Sequence, residues 1–124
     1  MTAPNIVNVT TIIGKTQTIA LSTTGETVLV SNAASSNKVF KINVIQVANV
    51  DGSSACDATV KVNSAAAGGG TGFALVSTVS VPADSTLVAL DKSTALYLEE
   101  DKSITVTASA ANDLEVIVSY EEIS

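Results

Sequence analysis

This chain contains no histidine, no arginine and no tryptophan, and it carries one cysteine in 124 residues. Each absence removes a class of function. Without histidine the commonest general base is missing, as are imidazole metal ligands and any Ser-His or Cys-His nucleophile pair. Without arginine there is no bidentate fork for phosphate. The six basic residues are all lysines, set against twelve acidic ones, and the net charge is −6. An acidic surface with scattered lysines repels a polyanion, so no nucleic-acid partner is expected. The lone Cys56 excludes an internal disulfide. Its neighbour Asp57 disfavours a thiolate, so Cys56 reads as a small buried residue rather than a reactive thiol.

Long apolar runs are also missing. Nothing approaches the length of a membrane span, and no membrane partner is expected. The opening MTAPNIVNVTT has neither the basic region nor the apolar stretch of a signal peptide. The Asn8-Val9-Thr10 triplet is therefore read as chance, and the expected setting is a reducing cytoplasm. Rings are scarce: Phe40, Phe73, Tyr97 and Tyr120 are all there are. That leaves little for the aromatic platform a sugar-binding module presents. The GGGTG of residues 68–72 lacks the lysine and the following helix of a phosphate loop. No paired CxxC or dinucleotide fingerprint occurs. The chain is expected to be no enzyme and to need no cofactor.

What is present is β-type sequence. Val, Ile and Thr abound, and these β-branched residues fit a pleated, half-buried surface. Ten short runs recur, at residues 6–9, 17–21, 27–31, 39–47, 58–62, 73–81, 86–90, 96–98, 104–108 and 114–120. Several alternate with period 2. Ile104, Val106 and Ala108 alternate with Thr105 and Thr107, and Leu114, Val116, Val118 and Tyr120 alternate with Glu115, Ile117 and Ser119. In residues 39–47, Phe40, Ile42 and Val44 are expected on one face and Lys41, Asn43 and Ile45 on the other. The expected core is Phe40, Ile42, Val44, Val60, Val62, Val106, Val116 and Val118. Residues 64–72 (SAAAGGGTG) read as a flexible loop, since consecutive glycines hold no regular element well. Pro82 ends the run before it. No window gives a helix. Short strands with frequent turns predict an all-β fold, a two-sheet antiparallel sandwich. Its length suits one domain, and the division expected is a segment 1–10 followed by a sandwich 11–124.

The acidic clusters Glu99-Glu100-Asp101 and Glu121-Glu122 would suit a calcium site or paired hydrolase carboxylates. They read instead as a solvated turn and a solvated chain end. Adjacent strand residues point to opposite faces, so Glu121 and Glu122 are not expected to share a ligand. No metal site is expected.

Residues 97–124, YLEEDKSITVTASAANDLEVIVSYEEIS, show an apolar strand, an acidic turn, an S-I-x-V-x-A-S strand, an Asn-Asp turn and a last strand ending SYEEI. This layout resembles the C-terminal half of small virion structural proteins of tailed bacteriophages, especially marine cyanophages. Residues 32–52, NAASSNKVFKINVIQVANVDG, resemble the same group. The chain departs from it at Tyr120, where related proteins often have glycine. The resemblance implies a jelly-roll-like β-sandwich acting as a capsid decoration or cement protein on the outer head surface. Neck, tail or fibre components and glycan-binding host-recognition modules are the alternatives. It further implies a virion location, with host cytoplasm during assembly. The expected partners are the major capsid protein or other virion proteins, with self-association into a homo-oligomer. No family site residues carry over. The interface residues expected from the chain itself are Asn5, Ile6, Asn8 and Val9, as an arm adding a strand to a neighbour, and Gly68, Gly69 and Gly70, where a partner backbone could approach closely. The competing expectation is that Ile6 and Val9 complete the domain's own sheet.

Overall fold

The structure is a computed structural model that describes residues 4–124. It contains nine strands: β1 (Ile12–Ala20), β2 (Thr27–Asn32), β3 (Val39–Asn49), β4 (Cys56–Asn63), β5 (Gly72–Val81), β6 (Thr86–Leu90), β7 (Leu96–Leu98), β8 (Lys102–Ala108) and β9 (Leu114–Ile123). Two single 3-10 turns, Ala66–Gly68 and Lys92–Thr94, are the only helical residues among those described.

The strands form two antiparallel sheets. One runs β1-β9-β3-β6, with β7 also on β3, and the other runs β2-β8-β4-β5. β6 and β7 lie end to end along β3, opposite Ile45–Ala48 and Phe40–Ile42 respectively, so together they act as one interrupted edge strand. The pairing is nested. β4 pairs with β5, β3 with β6 and β7, β2 with β8, and β1 with β9. A long antiparallel hairpin is thus rolled up until β9 also meets β3 and β8 also meets β4. This is jelly-roll topology, which leaves two edges on each sheet.

The core lies between the sheets, where period-2 alternation puts the apolar sets of β4, β8 and β9. Ala58, Val60, Ile104, Val106, Val116 and Val118 are fully buried. Phe40 and Tyr120 pack with ring centroids 5.3 Å apart. The β3 expectation needs correction. Its register against β9 slips between Ile42 and Val44, so Asn43 is an extra residue. A bulge of this kind reverses the faces beyond it. Phe40 and Ile42 are buried as expected, but beyond the bulge Ile45 and Val47 enter the core and Val44 is only half-buried. Val62 is likewise half-buried against the core rather than enclosed by it.

Two buried asparagines tie the sheets together. Asn32, ending β2, donates through Nδ2 to the carbonyls of Lys38 (2.9 Å) and Leu98 (3.1 Å). Asn49, ending β3, donates to those of Ser54 (2.9 Å) and Val81 (2.8 Å), while its Oδ1 accepts from the Asp51 N–H. Each joins one sheet to the other through a buried hydrogen bond, to Leu98 and to Val81 respectively. Cys56 is buried beside Ser109.

Candidate interaction surfaces

The expected interface residues fall on opposite faces of the sandwich. Residues 6–9 are not a strand: they form turns and bends, and the first strand begins at Ile12. The expectation that this run completes the sheet is corrected accordingly. The Asn5 carbonyl accepts from the Asn8 N–H at 3.1 Å, and Asn5 Oδ1 accepts from the Val7 N–H at 3.0 Å. This local turn uses the polar groups that would have extended a strand. Pro4 and Ile6 line a shallow hollow of about 260 Å³ with Val39, Tyr97 and Glu99. Ile6 is exposed and Val9 half-buried. Of the expected arm, residues 1–3 lie outside the described residues.

The glycine-rich loop lies over the outer face of the other sheet. Its backbone is held in place, in contrast to the flexible loop expected. The N–H groups of Ala66, Ala67 and Gly68 donate to Asp101 Oδ1 (3.1 Å), Ser31 Oγ (2.9 Å) and Ser103 Oγ (2.9 Å). Ser103 Oγ in turn donates to the Ala65 carbonyl at 2.8 Å. Gly68 has φ +76°, and a Cβ there would sit 3.3 Å from Thr105 Cγ2 and 3.4 Å from Val28 Cγ2. Gly70 has φ +71°, with Ser64 and Ala65 in the way of any side chain. The chain's own packing therefore accounts for these two glycines. The loop also explains why Ser103 and Thr105, on the outward side of β8, are buried.

Glu121 and Glu122 separate as the strand geometry predicts. Glu121 Oε2 accepts from Asn43 Nδ2 at 3.1 Å on the outer face. Glu122 points the other way, and it is not a solvated chain end: only 8% of it is exposed. Its two oxygens meet Lys38 Nζ at 2.7 Å and Lys15 Nζ at 2.9 Å. The hydrogen bond from Lys38, then that from Lys15, holds the Glu122 carboxyl below its ordinary value, and Glu122 raises Lys15. Burial pushes the Tyr120 hydroxyl up. Among the described residues, no group of three or more His, Cys, Asp or Glu side chains is placed to hold a metal ion. Of the two tyrosines, Tyr120 is core and Tyr97 is 49% exposed.

The most distinctive surface is one the period-2 reading saw only in part, as the run 17–21. β1 pairs with β9 over its full length, from Ile12 opposite Ile123 to Ala20 opposite Glu115, with no slip in register. Among the described residues it has no strand on its other side. All of its residues are exposed except the half-buried Ile19. The other three edges are interrupted or covered. β6 and β7 are separated by the Lys92–Thr94 turn. β2 is bulged between Val28 and Val30, and the glycine-rich loop bonds to its Ser31. β5 slips register twice. The signal for β1 was the β-branched run Thr10 to Ile13 continued by Thr16 to Ile19, but Gly14 and Lys15 interrupt its alternation. A strand exposed on both faces has no burial to enforce alternation.

Beside β1, the outer face of its sheet is concave. Thr18, Ala20, Ile117, Glu115, Gln46, Ala48 and Thr86 line a hollow of about 390 Å³ with Ile19 and Val116 at its floor. It is lined by small and medium side chains and holds no ring. No family model and no curated protein sequence matches this chain.

Proposed function

We propose that this protein is a structural subunit of a bacteriophage virion, a decoration or cement protein on the outer head surface that binds the major capsid protein. The observation that carries the reading is a rolled, well-filled sandwich whose outward features are an open strand edge and a shallow face. Such surfaces suit repeated docking between proteins better than chemistry on a small molecule. A shell protein gains hold through many weak, identical contacts, and repetition supplies the avidity. The resemblance of residues 97–124 and 32–52 to phage virion proteins supports the same reading. In this account the chain is not an enzyme, is made in the host cytoplasm and ends on the particle.

The test is the copy number of this chain in purified virions, measured by quantitative mass spectrometry. Hundreds of copies per particle support decoration. A dozen or fewer move it to the neck, tail or fibres, and absence overturns the reading. A glycan-binding role has one observation in its favour, the exposed Tyr97 ring lining a hollow with Glu99. Binding on a glycan array that is lost in Tyr97→Ala would favour it.

A further inference from the structure

We propose that β1 pairs with β1 of a second copy of this chain, antiparallel about a two-fold axis through Thr16, joining the two β1-containing sheets into one. This goes beyond the virion reading and does not depend on it.

The argument begins with which backbone groups are free. Thr11 and Ser124 exchange both hydrogen bonds, each at 3.0 Å, and the Leu21 N–H donates to the Leu114 carbonyl at 3.0 Å. Because the register from Ile12 to Ala20 does not slip, the odd-numbered residues between these points direct their N–H and C=O groups at β9. The even-numbered residues Ile12, Gly14, Thr16, Thr18 and Ala20 therefore direct theirs outward. A strand of this length, about 30 Å long, presents a ready template for another.

That template is complementary to itself in one register. With Thr16 on the axis, Ile12 faces Ala20 of the second copy, Gly14 faces Thr18, and Thr16 faces Thr16. All five outward residues then form hydrogen-bonded pairs. Shifting the axis to Lys15 leaves Ala20 without a strand partner and sets the two Lys15 side chains against each other. Shifting it to Gln17 leaves Ile12 without one. In the Thr16 register the intervening pairs bring Ile13, 49% exposed in the single chain, against Ile19 of the other copy, and Lys15 against Gln17. An isologous contact of this kind closes at two copies.

The self-complementary register selects a second copy as the occupant, and charge permits it. The chain has twelve acidic residues, and every one lies at Glu26 or later. β1 thus holds no carboxylate, and its one cation, Lys15, is already paired with Glu122. Two molecules of net charge −6 can therefore pair along this edge without setting one β1 carboxylate against another.

The test is sedimentation analysis of the purified chain, wild type and Thr16→Pro. Proline removes an outward N–H, which the fold does not use, and because the residue sits on the axis both copies lose a bond. The wild type is expected to be dimeric at about 0.1 mM, with Thr16→Pro keeping its melting temperature and losing about a hundredfold in affinity. A monomeric wild type, or a folded Thr16→Pro that still dimerises as tightly, overturns the proposal. Should Thr16→Pro fail to fold, Thr16→Cys decides. A short bismaleimide is expected to link two copies through position 16, since Cys56 is buried. No link, or equal linking of a Ser80→Cys control on β5, overturns it.

Discussion

β1 and β5 are both edge strands, of nine and ten residues, and both lie largely in solvent, yet they are built in opposite ways. β1 keeps one register throughout. β5 spends three residues where β4 spends two, between Ala58 and Val60, and two where β4 spends one, between Val60 and Lys61. At the first slip Thr78 adopts φ +53°, and its N–H donates to Thr59 Oγ1 at 3.0 Å instead of joining the ladder. Bulges twist an edge out of the plane another strand needs. β5 is therefore closed to strand addition although it exposes Phe73, while β1 is left open. A shared jelly-roll topology does not decide which edge is available; local backbone irregularity does.

The largest way to break the comparison is to loosen β9, through which β1 reaches the core. Val116 is fully buried, whereas the next residue, Ile117, is 43% exposed on the outer face. Val116→Asp places an unpaired charge among apolar neighbours and is expected to destabilise by about 4 kcal/mol, whereas Ile117→Asp is expected to cost under about 1 kcal/mol. Denaturant melts of the pair check this. Equal losses would mean the β9 register is wrong, and with it the parity assigned to β1.

Next in size is a proline pair inside β1. Gln17 directs its N–H at β9, so Gln17→Pro breaks the internal ladder and is expected to cost about 2–3 kcal/mol. Thr16→Pro, one residue earlier, is expected to cost under about 1 kcal/mol because it removes only an outward donor. Thermal melts at concentrations where both are monomeric separate the two. A reversal would show that the free side of β1 had been misassigned.

How much of this was legible in the sequence follows from burial. β4, β8 and β9 each have one face on the core, so alternation was enforced, and Val60, Val106 and Val116 could be placed from pattern alone. β1 was read only from Gln17 onward, because neither of its faces is enclosed and Gly14 and Lys15 break its alternation. The β3 bulge at Asn43 was invisible for another reason. One inserted residue changes no composition, and only the partner strand reveals it. Asn32 and Asn49 are the last residues of β2 and β3. Their buried role needs a carbonyl from the other sheet, and no local pattern encodes that. The same holds for Glu122, whose lysine partners lie at positions 15 and 38. For the interaction surfaces, the residues 5–9 segment and the glycine-rich loop were conspicuous for composition, while the open edge is defined by what its neighbours leave unpaired.

The Lys15–Glu122–Lys38 cluster tests how firmly β1 is held. It links the start of β1 and the residue before β3 to the end of β9, with both lysines partly in solvent. Glu122→Gln is expected to cost about 1–2 kcal/mol. Its pH dependence has a definite sign. The folded carboxyl is held below its ordinary value of 4.5, so its contribution is complete above that pH and is lost as pH falls through the lowered folded value. Wild type and Glu122→Gln should therefore converge in stability on the acid side. A gap that persists below both values would assign the loss to packing.

The smallest expected effect concerns the feature that closes β5. Thr78 is a β-branched residue in the left-handed region, where its side chain crowds the backbone. The position is exposed, and its hydrogen bond to Thr59 is made by the backbone N–H, which glycine would keep. Thr78→Gly relieves the strain but gives the unfolded chain more freedom to lose, so the net gain is expected to be small, up to about 1 kcal/mol. Self-association should not change, because the second slip, between Val60 and Lys61, remains. If Thr78→Gly instead acquires a new oligomeric state while keeping its fold, the threonine itself, by forcing the bulge, is what guards β5. The contrast with β1 would then rest on one side chain rather than on two register slips.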